Sequence, residues 1–182
     1  MADFSVQKIT STAKTEVTTT NSDLKSVVFS NVHGSNTTMV IDLWVTEQYG
    51  SDIEDTGINI NEALGYSSGT DSVTVTVDGT AATADLVGEK IWKDDGTLIG
   101  TCTARNSDTE IVFSGGLSQD VNNNDDLYIG IDHYFLNNVG IPGKSSLKLE
   151  ENEFSFPPDS YKMWIMCDVC SSGNPLDITI RR

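Results

Sequence analysis

The clearest chemical spacing in the chain is the Cys-x-x-Cys pattern of Cys167 and Cys170. Such a pair binds zinc when a second pair of ligands has similar spacing, or acts as a redox dithiol at a helix N-terminus. Cys102, His33 and His133 do not supply that second spacing. The pair also ends a predicted strand, on which residues three apart face opposite sides. We therefore predict buried or incidental cysteines, with no metal site, no redox role and no disulfide framework among three cysteines.

A second candidate is the run Asp120–Asp126, where oxygen-bearing side chains alternate as at the start of a calcium loop. An EF-hand loop needs glycine at its sixth position and glutamate at its twelfth, where this chain has Asp125 and Ile131. Asparagine and aspartate are also the ordinary residues of turns. We predict a turn, and the open alternative is a divalent cation bound in another way.

Catalytic residue types occur without a catalytic arrangement. His33 has no nearby serine or aspartate arrangement typical of a hydrolase, and neither a Gly-x-Ser-x-Gly motif nor a glycine-rich phosphate loop occurs. His133 lies in a predicted strand, either packed or exposed at its edge. A glycosidase-like carboxylate pair cannot be singled out among so many acidic residues. We expect no enzyme, no catalytic residue and no cofactor, and a hydrolase is the remotest alternative.

The tryptophans are the last candidates. Trp44, Trp92 and Trp164 could form an aromatic platform for a sugar, but each lies among apolar neighbours in a predicted strand. Large rings in that setting are typical of a core or of a protein interface. We predict packing rather than ligand binding.

The charge balance restricts the partners. The 182 residues include 27 Asp and Glu against 11 Lys and Arg, a formal net charge of −16. That balance disfavours nucleic acid and anionic membranes, and it keeps a protein in solution at high local copy number. Met1–Thr20 has no secretory signal pattern, and no apolar run approaches the ~20 residues that span a bilayer. We expect synthesis in the cytosol, or assembly into a particle made there.

Strand signals occur along the whole chain. The N-terminal twenty residues predict two short strands, with a disordered arm as the alternative. Leu24–Val32 and Thr37–Glu47 predict two strands of a hairpin, and the second alternates apolar and polar residues with one buried face. Gln48–Asp71 is rich in glycine and polar residues and predicts a loop, with one helical turn conceivable near Ile58–Leu64.

Five short strands are predicted after that loop, and an Asp-Gly turn at Asp95-Gly96 joins two of them. The predicted strands are Ser72–Val77, Val87–Lys93, Leu98–Ala104, Thr109–Phe113 and Leu127–Ile129. Strands of this spacing favour a small barrel or sheet.

The C-terminal part predicts more strands. In His133–Leu149 a strand leads through a turn at Pro142-Gly143 to a second strand, where glycine would supply a positive φ. Tyr161–Val169 and Leu176–Ile180 predict a final hairpin.

The distance between two matching strands predicts the domain organisation. Thr37–Glu47 and Ile131–Val139 look like neighbours in one sheet, although roughly eighty residues separate them. We predict an all-β chain: an antiparallel β-sandwich of jelly-roll or immunoglobulin-like type, formed by residues 1–52 and 131–182. Residues 53–130 would form an inserted, small β-barrel-like subdomain.

One family resemblance accompanies these patterns. Tyr134–Leu149, followed by the acidic stretch Glu150–Glu153 and the strands within Tyr161–Ile180, resembles a pattern in virion proteins of tailed phages, especially marine phages and cyanophages. The opening Ser5–Thr20, followed by Leu24–Val32, is also similar, as are Ala84–Trp92 and Asp94–Leu98 in the insertion. The resemblance covers about half of the chain. Phe154–Pro158 departs from it, since a more aliphatic strand is usual there.

The resemblance implies a β-sandwich virion component that packs in symmetric copies and has no active site. We expect an outer protein that decorates the capsid or forms part of the neck, tail or baseplate. Its partners would be other virion proteins and copies of itself, and its location the virion, assembled in the host cytoplasm. The alternative is an adhesin that binds a receptor or a host-surface glycan through residues 53–130. Neither role involves nucleic acid or a membrane.

Overall fold

The computed structural model is all-β and antiparallel, and it describes residues 4–17, 24–69, 73–78, 85–151, 153 and 160–182. This part of the chain contains no helix, hence none long and apolar enough to cross a membrane. Its strands are β1 (Phe4–Ile9), β2 (Thr15–Glu16), β3 (Ser26–Asn31), β4 (Met39–Glu47), β5 (Ile53–Ile60), β6 (Val73–Asp78), β7 (Lys90–Trp92), β8 (Leu98–Thr101), β9 (Ala104–Ser107), β10 (Glu110–Phe113), β11 (Asp126–Gly130), β12 (Asp132–Ile141), β13 (Ser145–Glu150), β14 (Tyr161–Cys167) and β15 (Leu176–Arg181).

The chain forms two compact units, which we call the split unit and the inserted unit. The split unit is Met1–Thr46 with Asp132–Arg182, and the inserted unit is Glu47–Ile131. The division after Thr46 differs from the one we expected at 52/53. Glu47 belongs with the inserted unit because its N–H donates to the Ile131 carbonyl, and because Gly130 lies so close that a Cβ there would meet Glu47 O at 2.1 Å.

The split unit is an antiparallel sandwich of two four-stranded sheets, ordered β1-β15-β3-β13 and β12-β4-β14-β2. One core joins them. Phe29 and Ile178 reach it from the first sheet and Ile41 and Ile165 from the second, all with no exposed surface. Burying side chains of this size contributes roughly 1.5–3 kcal/mol each, which makes the shared core the main source of this unit's stability.

The predicted pairing of Thr37–Glu47 with the strand after residue 131 is confirmed. β4 pairs with β12 in a register that sets Ile41 opposite Val139 and Val45 opposite His133. The alternation in β4 holds from Met39 to Leu43, but the prediction of one buried face fails beyond it, since Trp44 and Thr46 on the opposite face are buried as well. The N-terminal prediction of two short strands is also confirmed, by β1 and β2.

Three predicted strand–turn–strand pairs of the split unit are not hairpins. In each pair the two strands lie in different sheets, so the short connection between them passes from one sheet to the other. The pairs are β3 with β4, β12 with β13, and β14 with β15. The prediction was wrong because a strand with one apolar face can bury that face in two arrangements. It can pair with its neighbour in the same sheet, or it can pack against that neighbour from the facing sheet. A local sequence cannot distinguish pairing within one sheet from packing across two.

The turn at Pro142-Gly143 is one of these connections between the two sheets, from β12 to β13. The positive φ belongs to Lys144, at 62°, and not to Gly143 as we expected. Gly143 is required for another reason, since a Cβ there would lie 2.5 Å from the carbonyl oxygen of Ser35. The glycine permits close approach of two backbones where the chain crosses between sheets.

The inserted unit is one seven-stranded sheet in the order β8-β7-β11-β5-β6-β10-β9. Its central strand β5 lies where we predicted a loop. The pairing of β5 with β11 shifts register between Leu127 and Tyr128, and Gly57 has φ 69°. This irregularity, together with Asp55, hides the period of two that a regular strand shows.

The Asp95-Gly96 turn is confirmed, since β7 pairs with β8 around Gly96 at φ 78°. The predicted strand Leu98–Ala104 is instead two short strands, β8 and β9, separated only by Cys102 and Thr103. These two strands stand at opposite ends of the sheet order. The barrel-like closure of the insertion stays a prediction.

Candidate functional site

Cys167 and Cys170 form a disulfide, with their Cα atoms 5.7 Å apart, so our expectation of no disulfide was wrong. β14 ends at Cys167, and the following turn brings Cys170 back to the same side, where the alternation of strand faces no longer applies. Asp168 ties this turn to β4: its Oδ1 accepts the Val40 N–H at 2.8 Å, and its own N–H donates to Val40 O. Both cysteines are buried. The pair therefore closes a turn on the core.

Cys102 lies in the other unit. It has no exposed surface, and its Sγ is 3.5 Å from the Ala104 carbonyl. Its prediction as a buried packing cysteine is confirmed.

Asp120–Asp126 forms a turn, as predicted, and its oxygens already bind backbone groups. Asp120 Oδ1 accepts the Ser68 N–H at 2.7 Å, and this contact lowers the pKa of the Asp120 carboxyl. Asp125 Oδ2 accepts the Asn122 N–H at 2.8 Å, and Asn124 takes the positive φ of 64°. Across the described ranges, no group of three or more His, Cys, Asp or Glu side chains is placed to hold a metal ion.

An open acidic depression adjoins that turn. It is lined by Lys93, Asp94, Asp95, Asn124, Asp125 and Asp126. The Lys93 ammonium lies 3.3 Å from Asp125 Oδ2 and supplies a positive charge inside the cluster. Asp95 accepts the Thr97 N–H at 2.8 Å, and this hydrogen bonding lowers its pKa. Asp95 thus stabilises the turn between β7 and β8, and the Lys93–Asp125 ion pair links that turn to the one at Asn124.

Carboxylates also bind the backbone at irregular positions within strands. Asp42 Oδ1 accepts the N–H of Asn138 at 2.6 Å, where Asn138 has φ 57° inside the irregular part of β12. In the inserted unit, Asp55 Oδ1 accepts the N–H of Gly57 at 2.8 Å, beside the bulge in β5. The acidic side chains that suggested chemistry hold the backbone in conformations that a regular strand does not adopt.

His33 has a serine neighbour that the sequence reading missed. Ser35 Oγ lies 2.7 Å from His33 Nδ1, and the Ser35 N–H donates to the same nitrogen at 3.2 Å. Ser35 Oγ also lies 2.6 Å from Thr37 Oγ1. A ring nitrogen that accepts a backbone N–H two residues on stabilises a turn, and this histidine–serine pair connects β3 to β4. The signal was the spacing of two residues, which is typical of side-chain-to-backbone turns.

His133 lies on β12, an edge strand, with an exposed side chain. Its ring meets the Tyr161 ring edge-on, with centroids 6.1 Å apart. We expected His133 to be either packed or exposed at a strand edge. It is exposed on an edge strand, and its ring also contacts Tyr161.

The three tryptophans are buried, with 4% of Trp44, 7% of Trp92 and 3% of Trp164 exposed. Tyr134 stacks on Trp44 at 5.5 Å, and the Lys14 ammonium lies 4.4 Å from the Trp164 ring centroid. The rings pack within the protein, as the sequence predicted.

Asp132 is a half-buried carboxyl that the sequence reading did not single out. It begins β12, opposite Thr46, whose hydroxyl donates to Asp132 Oδ1. Burial raises the pKa of Asp132, while the Thr46 hydrogen bond and the Lys14 charge act in the opposite direction. A signal for the pair was present, since both residues are polar and lie at or next to a strand end, with Asp132 first in β12 and Thr46 one residue before the end of β4.

The exposed apolar side chains lie mainly at strand edges and turns. Phe4 and Val6 are 60% and 64% exposed on β1, an edge strand, and Leu64 is 95% exposed in a turn. In the part of the chain that the structure describes, the other large exposed hydrophobic residues are Val32, Tyr49, Tyr134, Met166 and Val169.

No protein-family model, curated protein or solved structure matches this chain.

Proposed function

We propose that the protein is a structural component of a phage virion that works through protein–protein interfaces. Its place would be outside the particle, decorating the capsid or forming part of the neck, tail or baseplate. The observation that carries the proposal is that acidic side chains hold the backbone in place by accepting hydrogen bonds from it. Asp42, Asp55, Asp95, Asp120, Asp125 and Asp168 each accept a backbone N–H, at a turn, in a loop or at an irregular position of a strand.

The distribution of apolar groups supports the same role. The rings that could have formed a ligand platform are packed inside, whereas Phe4 and Val6 are exposed at a sheet edge. Exposed apolar residues at an edge suit contact with another protein. The net charge of −16 suits a protein kept at high copy number without uncontrolled association.

The phage assignment itself is supported by the resemblance of Tyr134–Leu149. In the structure this stretch is β12, the crossing at Gly143, and β13. It therefore contributes one strand to each sheet of the split unit.

Antibodies raised against the purified chain test the proposal. Lysates of cells that produce the virus are fractionated on a density gradient, and each fraction is probed with the antibody and viewed by negative-stain electron microscopy. We expect the signal to sediment with tailed particles, and gold-labelled antibody to decorate a fixed place on them. Signal confined to particle-free fractions contradicts the proposal.

A glycan array separates this role from the adhesin role. The chain is applied beside an Asp94→Asn variant, which removes one carboxylate from the acidic depression of the inserted unit. We expect no glycan signal that depends on Asp94. A monomeric chain that binds one glycan class, and loses it in the variant, supports the adhesin and contradicts the structural role.

A further inference from the structure

The disulfide between Cys167 and Cys170 closes a turn that hydrogen bonds hold as well. Two of these bonds tie the turn to β4: Asp168 Oδ1 accepts the Val40 N–H at 2.8 Å, and the Asp168 N–H donates to Val40 O at 3.1 Å. Asp168 comes directly after Cys167. The first half of the turn is therefore fixed whether or not the two sulfurs are joined.

The second half of the turn is held in a similar way. Ser171 and Asn174 form a β-bridge directly after Cys170, with backbone hydrogen bonds of 3.2 and 3.1 Å in the two directions. Cys170 thus lies between two hydrogen-bonded pairs, and neither pair involves sulfur. Reduction of the disulfide leaves these bonds intact, so we expect the fold to keep the two thiols close to each other.

The core can accept the reduced cysteines. Cys167 and Cys170 are 2% and 5% exposed, and both belong to the apolar core of the split unit. A free cysteine packs as a small hydrophobic residue, so two thiols can be buried there without an unpaired charge. The bond also spans a sequence separation of only three, and such a short loop restricts the unfolded chain less than a long one. We therefore expect the split unit to fold without the disulfide.

The turn is open to a small reagent. Asp168, Val169 and residues 171–173 are exposed around the two buried cysteines. Opening of this turn alone exposes the sulfurs, and a local opening costs less free energy than the unfolding of core strands. We predicted no redox role from the sequence, because residues three apart on a strand face opposite sides. These two cysteines instead lie on either side of a turn.

We propose that Cys167 and Cys170 form a reversible thiol–disulfide exchange site, which closes after the split unit has folded. The co-reactant is a small disulfide of the glutathione class. One cysteine thiolate attacks a sulfur of the small disulfide, which forms a mixed disulfide and releases one small thiolate. The other cysteine thiolate then attacks the first cysteine's sulfur and releases the second small thiolate. Two protein thiols are oxidised, the small disulfide is reduced, and the two protons pass to the released thiolates.

The inference rests on the proposed function for the moment at which the site closes. A virion protein passes from the host cytoplasm, where thiols are kept reduced, to surroundings in which disulfides persist. The site would be open during assembly and closed on the released particle. Folding and closure are linked equilibria, so whatever factor the fold adds to closure, closure adds to the stability of the fold. The released particle would therefore carry the more stable form.

A glutathione titration of the purified full chain tests the exchange site. The chain is equilibrated at increasing ratios of oxidised to reduced glutathione, free thiols are trapped with an alkylating reagent, and mass spectrometry measures the disulfide fraction. The same titration in denaturant gives the closure constant of the unfolded chain. Cys102 is the internal control, since it is buried in the core of the inserted unit and should stay a free thiol in the native chain.

We expect the fully reduced chain to be folded, with a β-type circular dichroism spectrum and cooperative melting. Closure should be about 10- to 30-fold more favourable in the native chain than in denaturant, the factor expected for a loop of this length. A reduced chain that does not fold overturns the proposal, because closure would then be a condition of folding. Closure that is no more favourable in the native chain also overturns it, because the fold would not hold the thiols together.

Two aspartate variants test whether the turn holds the thiols in place. Asp168→Ala removes the acceptor of the Val40 N–H, and Asp42→Ala is the matched control, because Asp42 accepts the Asn138 N–H in the same sheet but outside the turn. We expect native closure to be about fivefold less favourable in Asp168→Ala, the effect of one hydrogen bond, and unchanged in Asp42→Ala. Equal closure constants in the two variants overturn the role of the turn. If Asp168→Ala does not fold, the wild-type titration decides, since it needs no variant.

The titration uses the isolated chain, whereas the proposed function is decided by sedimentation with particles, so the two can fail separately. The moment of closure is tested by alkylation of intact cells that produce the virus and of the particles they release. We expect free thiols at Cys167 and Cys170 in the cells and a disulfide on the particles. A disulfide already closed inside the cells contradicts closure on release.

Discussion

The two units of this chain are both antiparallel and all-β, but they connect their strands differently. In the inserted unit, strands adjacent in sequence are also paired: β5 with β6, β7 with β8, and β9 with β10. In the split unit, β3 and β4, β12 and β13, and β14 and β15 lie in different sheets, and β1 at one end of the chain pairs with β15 at the other.

This difference separates local from non-local construction. The inserted unit can form three hairpins before its sheet is complete, whereas every sheet of the split unit needs strands from both ends of the chain. Non-local pairing is slower because the entropy of loop closure must be lost before contacts form. We expect the inserted unit to fold first and the split unit to follow once Asp132–Arg182 is available.

The largest effect should come from the cores, which test whether the units are separate. Phe29→Ala removes a fully buried ring from the split unit, and Phe113→Ala removes one from the inserted unit, where it is 1% exposed. Each should lower the free energy of unfolding of its own unit by about 3–5 kcal/mol. Calorimetry should show two transitions, of which each variant shifts a different one. A single transition that both variants shift equally would contradict separate units.

The disulfide should stabilise the split unit alone. Reduction of Cys167–Cys170 releases a closed loop of sequence separation three. Loop-closure entropy for such a short loop amounts to about 2 kcal/mol. Dithiothreitol should lower the melting temperature of the split unit and leave that of the inserted unit unchanged. The Cys102→Ala variant is the control, since its response to the reductant should match the wild type's.

Gly143→Ala probes the crossing between the two sheets. The added Cβ would lie 2.5 Å from Ser35 O, so the backbone must move, at a cost of about 1–3 kcal/mol. Gly34→Ala is the matched control in the same unit, because a Cβ there meets nothing within 4 Å. Chemical denaturation should show a lower midpoint for the first variant only. Equal midpoints would mean that the crossing is not tightly packed.

The smallest effects concern pH, and their sign should differ between the units. Asp132 in the split unit has a raised pKa, so the folded state binds its proton more tightly and stability falls as pH rises above the ordinary value of 3.8. Asp132→Asn should therefore melt higher than the wild type at pH 7, with the gap closing near pH 3. The Thr46 hydroxyl can still donate to the amide oxygen.

Asp120 in the inserted unit has a lowered pKa, so its stabilising effect is present above 3.8 and is lost as pH falls. Asp120→Asn should melt lower than the wild type at pH 7 and converge with it in acid. Melting curves of both variants between pH 3 and 7 provide the comparison. Gaps of the same sign would contradict the assigned causes.

Strand positions could be predicted from the sequence because period two and turn residues are local signals. Thr37–Glu47 and Asp95-Gly96 were found in this way. Strand partners could not be predicted, because Leu24–Val32 buries one face equally well in a hairpin or across a sandwich. β5 was missed because Gly57 and the bulge beside it interrupt the alternation.

For the site residues too, features with a local sequence signal could be predicted and features that depend on distant parts of the chain could not. The packing of Trp164 could be predicted from its apolar neighbours, whereas the disulfide was missed because the strand rule stops at Cys167, where the chain turns. The exposure of Val6 on an edge depends on the β1–β15 pairing between the two ends of the chain, and no local pattern contains it.

Cryo-electron microscopy of purified particles tests the central claim most directly: that the chain works as a structural protein through interfaces on a virion. We predict density for the split unit at a fixed place on the particle, in contact with another virion protein or with a second copy. Particles without such density, with the chain recovered only in particle-free fractions, would contradict it.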